Sequence, residues 1–272
     1  MPLLLKMKKR KTMMRLDPLK KIFVAAAAVC VVSLAVMPVL AEETTTEADD
    51  NTFTDNVMTY RKAEGGVYIS DCESNTSSVN ISGEVDGYKV IGIDANAFSD
   101  CTKLTEINLP DTITDIGESA FAGCTSLKKA NIPGGMTKVP DKIFALCSAL
   151  REVDIPESVT EIGEYAFSYC DDLTWFEVPE TITAIGNYAF AYSDMGETLE
   201  IPEGVESIGA LSFYYCQGLK TAKLPSTLES IGTLAFLGCN ELSAYEVSKS
   251  NNTYCSEDGI LYSKSMDGLI SY

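Results

Sequence analysis

The chain has 272 residues, of which 46 % are hydrophobic, and this content excludes a wholly disordered protein. It carries 21 Lys and Arg against 39 Asp and Glu, so nucleic-acid phosphates and anionic membrane surfaces repel it. The sequence contains no histidine, which removes Ser-His-Asp and Cys-His nucleophile activation and the commonest transition-metal ligand.

Residues 1–41 have the pattern of a signal peptide. Eight basic residues precede the apolar run IFVAAAAVCVVSLAVMPVL, and small residues end the segment at Ala41. An uncleaved membrane anchor is the alternative, because the run is nearly long enough to span hydrocarbon. Pro38 and the small residues after it favour cleavage, which leaves 13 basic residues against 38 acidic ones, a net charge of −25. We therefore predict an exported protein that is secreted or held at the cell surface.

Two segments lead into the main body of the chain. Residues 42–58 are acidic, rich in threonine and nearly free of large apolar side chains, so we predict a disordered linker. Residues 59–92 are predicted to be an N-terminal capping region, in which GGVYIS forms the first edge strand. Val79 and Ile81 match the strand positions of the units that follow.

Residues 93–247 hold seven copies of a 23-residue unit, and self-similarity at a fixed period is the signature of a solenoid. Each unit centres on one phenylalanine. These are Phe98, Phe121, Phe144, Phe167, Phe190, Phe213 and Phe236. Three residues after each of them stands a cysteine, except that Ser193 takes this place once. Eleven residues after each stands an aliphatic residue, which proline follows in six units.

Within a unit, two local structures are predicted. LTEINLP places Leu104, Ile107 and Leu109 on one side, which favours a short strand that the proline ends. ESAFAGC predicts about one turn of helix, with Phe121 and Cys124 facing the same side. A single unit buries too little apolar surface to fold alone, so neighbouring units must stack on one another.

The unit IGxxAFxxCxxLxxIxIPxxVxx resembles the BspA-type leucine-rich repeats of bacterial surface proteins, which share its AF, cysteine and IP in the same order. The resemblance spans about residues 79–262. It implies a leucine-rich repeat solenoid: a right-handed coil with a parallel concave sheet and short helical turns on the convex side. It also implies a role in adhesion to host or neighbouring cells.

Residues 248–272 resemble the variant unit of this family, in which an Asn-x-x-Tyr and an Asp-Gly turn join two short strands. Here the turn is Asp258 and Gly259. The pattern stops in what looks like mid-unit, so we expect a truncated C-terminal unit.

The repeated cysteines allow three interpretations. Eight cysteines follow the signal peptide, and an even number in an exported protein suggests disulfides. Stacked units place equivalent Cβ atoms about 4.8 Å apart, whereas a disulfide needs about 3.5 to 4.5 Å. A metal site needs four converging ligands, which a straight row does not supply. Buried core thiols are therefore favoured over disulfides and over a metal or catalytic role.

The outward positions of the strands form the candidate binding face. The central unit places the only tryptophan, Trp175, at such a position, and an exposed aromatic residue is a frequent binding hot spot. Its neighbours on this face complete the predicted site: Glu152, Asp154, Thr174, Glu177 and Glu200. The alternatives are that Trp175 merely covers its neighbours and that the acids are ordinary solvated surface. A carboxylate pair for glycoside hydrolysis is disfavoured, since an acidic chain brings carboxylates together by chance.

A second aromatic feature consists of tyrosine rows. Tyr169, Tyr192 and Tyr215 recur at the 23-residue interval, with Tyr165 and Tyr188 nearby. They predict a structural ladder, with a carbohydrate platform as the alternative.

Together these features predict a non-catalytic binding protein that recognises a protein, or a glycan, on host or neighbouring cells. No cofactor, metal or nucleic acid is expected, and the membrane enters only through the export signal. The alternatives are a carbohydrate-binding module and a structural spacer that displays a C-terminal domain.

Overall fold

A computed structural model describes residues 51–55, 57–174 and 176–271, except for the side chain of Ser271. The predicted signal peptide and residues 42–50 of the predicted linker lie outside the described residues. The described chain is a β-solenoid whose coils each take one 23-residue repeat, and we number the coils one to seven from Phe98 to Phe236. The strands are β1 (Thr52–Thr54), β2 (Met58–Ala63), β3 (Gly66–Cys72), β4 (Glu84–Val85), β5 (Tyr88–Ile93), β6 (Asp115–Ile116), β7 (Lys129–Asn131), β8 (Lys138–Val139), β9 (Glu152–Asp154), β10 (Glu161–Ile162), β11 (Ala184–Ile185), β12 (Thr198–Glu200), β13 (Ser207–Ile208), β14 (Thr221–Leu224), β15 (Ser230–Ile231), β16 (Ala244–Val247), β17 (Tyr254–Glu257), β18 (Ile260–Ser263) and β19 (Leu269–Ser271).

Two lines of parallel strands run along the solenoid. The side sheet has the order β8-β10-β11-β13-β15, and every pairing joins equivalent residues of successive repeats, as Ile162 and Ile185 show. The front strands are β7 with β9, and β12 with β14 and β16, again in parallel at the same interval. Because each strand pairs with its copy in the next coil, the period of the repeat determines the register.

The structure corrects the prediction of short helical turns. In each coil two residues, two before and two after the phenylalanine, adopt positive φ values of 54° to 81°, which an α-helix does not contain. Alternate N–H groups of this segment donate to the next coil instead of to their own turn, as Lys142 donates to the carbonyl of Glu164 at 2.8 Å and Phe144 to that of Ala166 at 3.0 Å. We call this third hydrogen-bonded side the turn ladder. It forms because stacked coils supply carbonyl partners that an isolated unit lacks.

The core is a column of phenylalanine rings. Neighbouring rings of the seven coils stack with centroids 4.9 to 5.8 Å apart. All are fully buried except Phe236, which is 6 % exposed in the last coil. The glycine four residues before several of these rings lets the coils approach closely, since a Cβ at Gly209 would stand 2.6 Å from the carbonyl carbon of Gly186. A single apolar column thus runs through all the coils and joins them into one core.

The N-terminal end is covered by a hairpin, and here the predicted linker is wrong at its C-terminal end. β1 pairs antiparallel with β2, and β2 with β3, which runs parallel to β5 of the first coil. Phe53 holds β1 in place by stacking on Tyr60 at 5.2 Å. Phe53 stands in a mainly acidic segment, so composition alone predicted disorder there. The carboxylate of Asp55 also accepts hydrogen bonds of 2.7 Å from the N–H groups of Val57 and Met58.

The C-terminal unit closes the other end with polar groups. β17 and β18 pair antiparallel around Asp258 and Gly259, as the resemblance implied, and β19 pairs with β18. Asn251 is 1 % exposed, and its amide donates to the carbonyls of Pro225 and Leu228 at 2.8 and 3.0 Å. The hydroxyl of Tyr254 accepts the N–H of Ile231 at 2.9 Å. The Asn-x-x-Tyr motif therefore supplies hydrogen-bond partners to backbone N–H and carbonyl groups at the C-terminal end of the solenoid.

Candidate binding face

The front strands carry most of the predicted site residues. Glu152 and Asp154 lie on β9, and Glu200 lies on β12; their side chains are 57, 66 and 72 % exposed. Glu177 is also exposed, and Thr174 is half-buried. Trp175 lies outside the described residues, so its predicted role stays a prediction. The alternation of inward and outward side chains along each strand brings the described acids to one face.

Lysines on neighbouring coils pair with these acids, which the sequence analysis missed. The ammonium of Lys129 lies 2.5 Å from the Glu152 carboxylate and 3.8 Å from that of Asp154. Lys223 lies 3.2 Å from Glu200 on the neighbouring strand. Each pairing joins adjacent coils at equal or nearly equal strand positions, so opposite charges one repeat apart were the signal that could have revealed them.

These ion pairs divide the face into zones of charge. The acidic residues of coils three to five lie in the middle, with Lys129 to one side and Lys223 to the other. Glu177, in the middle, has no ion-pair partner among the described residues. Exposed pairs of this kind contribute little to stability, because water and salt screen the charges. Their main effect is therefore on the pattern of potential that a partner meets.

The line of front strands is interrupted at the centre of the predicted site. Residues 176–178, which are equivalent to β9 and β12, form no strand. Phe176 turns its ring inward and packs 5.2 Å from Phe167 and 5.4 Å from Phe190, at a position that is aliphatic in every other coil except the last, which has Tyr245. In the following coil Gly196, with φ +71°, stands where other coils have leucine, and a Cβ there would lie 2.8 Å from the Thr174 carbonyl oxygen. The repeat therefore keeps its length here while its packing changes.

The cysteine row is part of the core. Each thiol from the second coil onward donates to the carbonyl of the phenylalanine of the preceding coil, for example Cys170 to Phe144 at 3.3 Å. Ser193 makes the same bond to Phe167 at 2.6 Å, which explains why serine can replace cysteine at that position. All eight cysteines in the described part of the chain are free thiols. Burial raises the pKa of Cys170 well above its usual range, as expected for an inert core thiol.

The tyrosine rows lie on the turn ladder. Tyr165 stacks on Tyr188 with ring centroids 4.5 Å apart and planes 4° apart, and Tyr169 stacks on Tyr192 at 4.6 Å. Tyr192 in turn stacks on Tyr215 at 5.3 Å. Burial raises the pKa of Tyr169 to about 12. Since neighbouring rings cover one another, the rows form a structural ladder, as the first interpretation predicted.

The surface of the described part of the chain includes two shallow depressions near its ends. One, of about 240 Å³, lies beside the N-terminal hairpin and is lined by Asp55, Met58 and Val79 among others. The other lies beside the C-terminal unit around Thr227 and Thr253. Residues 51–55, 57–174 and 176–271 contain no cluster of three or more Cys, Asp or Glu suited to holding a metal ion. Nor do they contain a helix that is long and apolar enough to cross a membrane.

Comparison with known proteins gives a consistent result. The family model described as "BspA type Leucine rich repeat region" matches in six copies, over residues 70–196 and 196–258. The crystal structure of a leucine-rich repeat protein from T. pallidum is similar to 70 % of the chain and 90 % of that protein, at 26 % identity and a TM-score of 0.61. The pneumococcal vaccine antigen PcpA has the same fold, at 20 % identity and a TM-score of 0.52, covering 81 % of this chain and 56 % of that one. None of the curated proteins matches the sequence significantly.

Proposed function

Because the chain belongs to the BspA-type leucine-rich repeat family, we propose that it is a non-catalytic protein, secreted from or displayed on a bacterial cell, that recognises a protein partner with its front face. The pattern of charge on that face supports this proposal most directly. An acidic centre with lysines on both sides orients a partner of complementary charge and speeds its association, because opposite charges on the two proteins steer their encounter.

The partner that fits this face has a basic centre. Glu177 has the same repeat position as Asp154 and Glu200 on the coils on either side, so a positively charged group placed there is expected to meet three carboxylates. The front strands are interrupted next to Glu177, so the backbone at the centre differs from that of the neighbouring coils. Trp175 belongs to the same unit and is proposed to supply the apolar contact at the centre.

Catalysis and sugar binding fit the structure less well. Glu152, Asp154 and Glu200 are all more than half exposed, whereas a general acid needs an environment that raises its pKa. The tyrosines cover one another's ring faces, and a sugar platform needs open faces. A structural spacer that displays another domain is the remaining candidate and has no specific ligand of its own.

The test compares capture of partners by two variants, one on the front face and one away from it. Residues 42–272 are immobilised, and proteins captured from host and bacterial surface extracts are identified by mass spectrometry. We expect Trp175→Ala combined with Glu177→Lys to reduce capture of a given partner at least about tenfold, which corresponds to about 1.4 kcal/mol. The control Glu229→Lys reverses one exposed charge away from the front face and is expected to leave capture unchanged.

Capture that survives the double substitution, or that Glu229→Lys weakens equally, contradicts recognition by the front face. A parallel glycan array addresses the alternative. A signal there that depends on Tyr169 and Tyr192 would support the carbohydrate-binding function instead. No specific ligand in either experiment would favour the structural spacer.

A further inference from the structure

The turn ladder changes its character along the solenoid. The side chains two residues before each core phenylalanine form one row, which is polar in coils one to three and aromatic or aliphatic in coils four to seven. In order they are Asn96, Ser119, Lys142, Tyr165, Tyr188, Leu211 and Leu234. Beside this row, Tyr214 and Leu237 follow the phenylalanines of the last two coils. We call the side chains of coils four to seven at these positions the turn face.

Core packing does not account for the apolar residues at the end of this face. Leu234 and Leu237 are 55 and 45 % exposed, among the most exposed large apolar side chains of the described residues. Leu234 also has a φ of +57°, a conformation that asparagine tolerates better than leucine, and Asn96 occupies the same position in coil one. A leucine that is exposed and held in an unfavourable backbone conformation is best explained by contact with a partner.

The charge around the face indicates the sign of that partner. Residues 152–219 contain 14 Asp and Glu and no Lys or Arg. Among these acids, Glu161, Glu164 and Asp171 are exposed within a few residues of the tyrosines. Asp171 lies close enough for its charge to act on the hydroxyl of Tyr169. These acids lie beside the tyrosine end of the face and the exposed leucines lie at its other end, an arrangement complementary to a segment that carries both basic and apolar side chains.

The molecule itself contains one example of the contact that this face offers. Lys142, the row's last polar member, places its ammonium 5.9 Å from the centroid of the Tyr165 ring and 2.6 Å from a carboxylate oxygen of Glu118. An ammonium between an aromatic ring and a carboxylate is a favourable arrangement. In the following coils Tyr165 and Tyr188 offer aromatic rings, and Glu161 and Glu164 offer carboxylates. Residues 152–219 contain no Lys or Arg that could occupy the equivalent place between them.

We propose that the turn face of coils four to seven binds a cationic amphipathic segment of a partner protein. Lysine or arginine side chains of the segment lie against the edges of the tyrosine row and pair with Glu161 and Glu164. Its apolar side chains pack on Leu234 and Leu237. This face is separate from the front strands, so the two surfaces are occupied independently.

The test uses a synthetic peptide in place of the unidentified partner. A fluorescein-labelled peptide with three Leu-Lys-Lys-Leu repeats is titrated with residues 42–272 and followed by anisotropy, next to a control peptide with serine in place of leucine. The variant Leu234→Asn/Leu237→Ser installs the residues that coil one has at these positions, Asn96 and Ser99. We expect it to bind the leucine peptide about tenfold more weakly, since burial of one leucine accounts for that factor. The serine peptide is expected to bind both proteins equally.

A second pair of variants separates a local acidic edge from the general charge of the protein. Glu161→Gln/Glu164→Gln is expected to weaken binding of the leucine peptide at least threefold more than Glu64→Gln/Glu73→Gln, which removes two exposed charges at the N-terminal hairpin, away from the turn face. Equal effects of the two pairs, or unchanged binding to Leu234→Asn/Leu237→Ser with an unchanged melting temperature, overturn the proposal. So does self-association of the wild type that this leucine variant abolishes, because the occupant is then a second copy of the chain.

Discussion

Replacing Phe167 by alanine removes the central ring of the core column and gives the most direct test of how the coils hold one another. Phe167 is fully buried and stacks on Phe144 at 5.8 Å, on Phe190 at 5.4 Å and on Phe176 at 5.2 Å. Truncating a buried phenylalanine costs about 3 to 5 kcal/mol, and each aromatic pair adds about 0.5 to 1.5 kcal/mol. Measured truncation costs already include lost ring contacts, so the loss of three pairs puts Phe167→Ala at the upper end of the first range, about 5 kcal/mol in the free energy of unfolding.

The matched control is Phe236→Ala in the last coil. Phe236 is 6 % exposed and contacts two rings, those of Phe213 and Tyr245. Because it stacks on a phenylalanine on one side only, its truncation should cost about 3 kcal/mol. Urea unfolding is followed by far-ultraviolet circular dichroism, which reports all coils, and by the fluorescence of the single tryptophan, Trp175, which belongs to the central unit.

Coincident transitions by both probes are expected for the wild type. For Phe167→Ala, the fluorescence change should come at lower urea than the change in circular dichroism, because the stacking of neighbouring coils is broken in the middle of the array. A Phe167→Ala protein that is no less stable than Phe236→Ala, with coincident transitions, would refute the argument that each coil depends on the coils on both sides.

Three further predictions follow from single positions. Cys170→Ser should change the free energy of unfolding by less than about 1 kcal/mol, because Ser193 already makes the equivalent hydrogen bond. Cys170→Val should cost about 1 to 3 kcal/mol, because the larger side chain overpacks the core. Urea unfolding of both variants measures these changes. Burial raises the pKa of Tyr169 from 10.0 to about 12, so its contribution to stability is present below pH 10 and is lost as the pH rises toward 12; Tyr169→Phe should flatten this fall when unfolding is measured across that range, and an unchanged slope would contradict it. Gly209→Ala should lower the melting temperature clearly, since the new Cβ would stand 2.6 Å from the backbone of Gly186 and the coils must separate; an unchanged melting temperature would show that they are less tightly stacked than described.

The sequence was sufficient for the architecture because the constraint repeats. Seven phenylalanines at one constant interval require a coil of that length, and the burial of all seven rings confirms it. The cysteine row was predicted to be core, and its thiols are buried and free. The Asp258 and Gly259 turn of the C-terminal unit was also predicted correctly from the resemblance. Each of these features is specified by residues within one unit or by their copies.

The tertiary structure decided what depends on the neighbouring coil. The local sequence around Phe144 predicts a helical turn. In the structure, alternate N–H groups of this segment donate to carbonyls of the next coil, and the residues two before and two after Phe144 have positive φ. The sequence predicted an acidic site on the front face. In the structure, Lys129 and Lys223 on adjacent coils partly neutralise its carboxylates. Local sequence lists the groups that each residue can offer, whereas stacking determines which of those groups come within hydrogen-bonding or ion-pairing distance. The repeat therefore specified the solenoid, and only the contacts between its coils specified the surfaces that it presents.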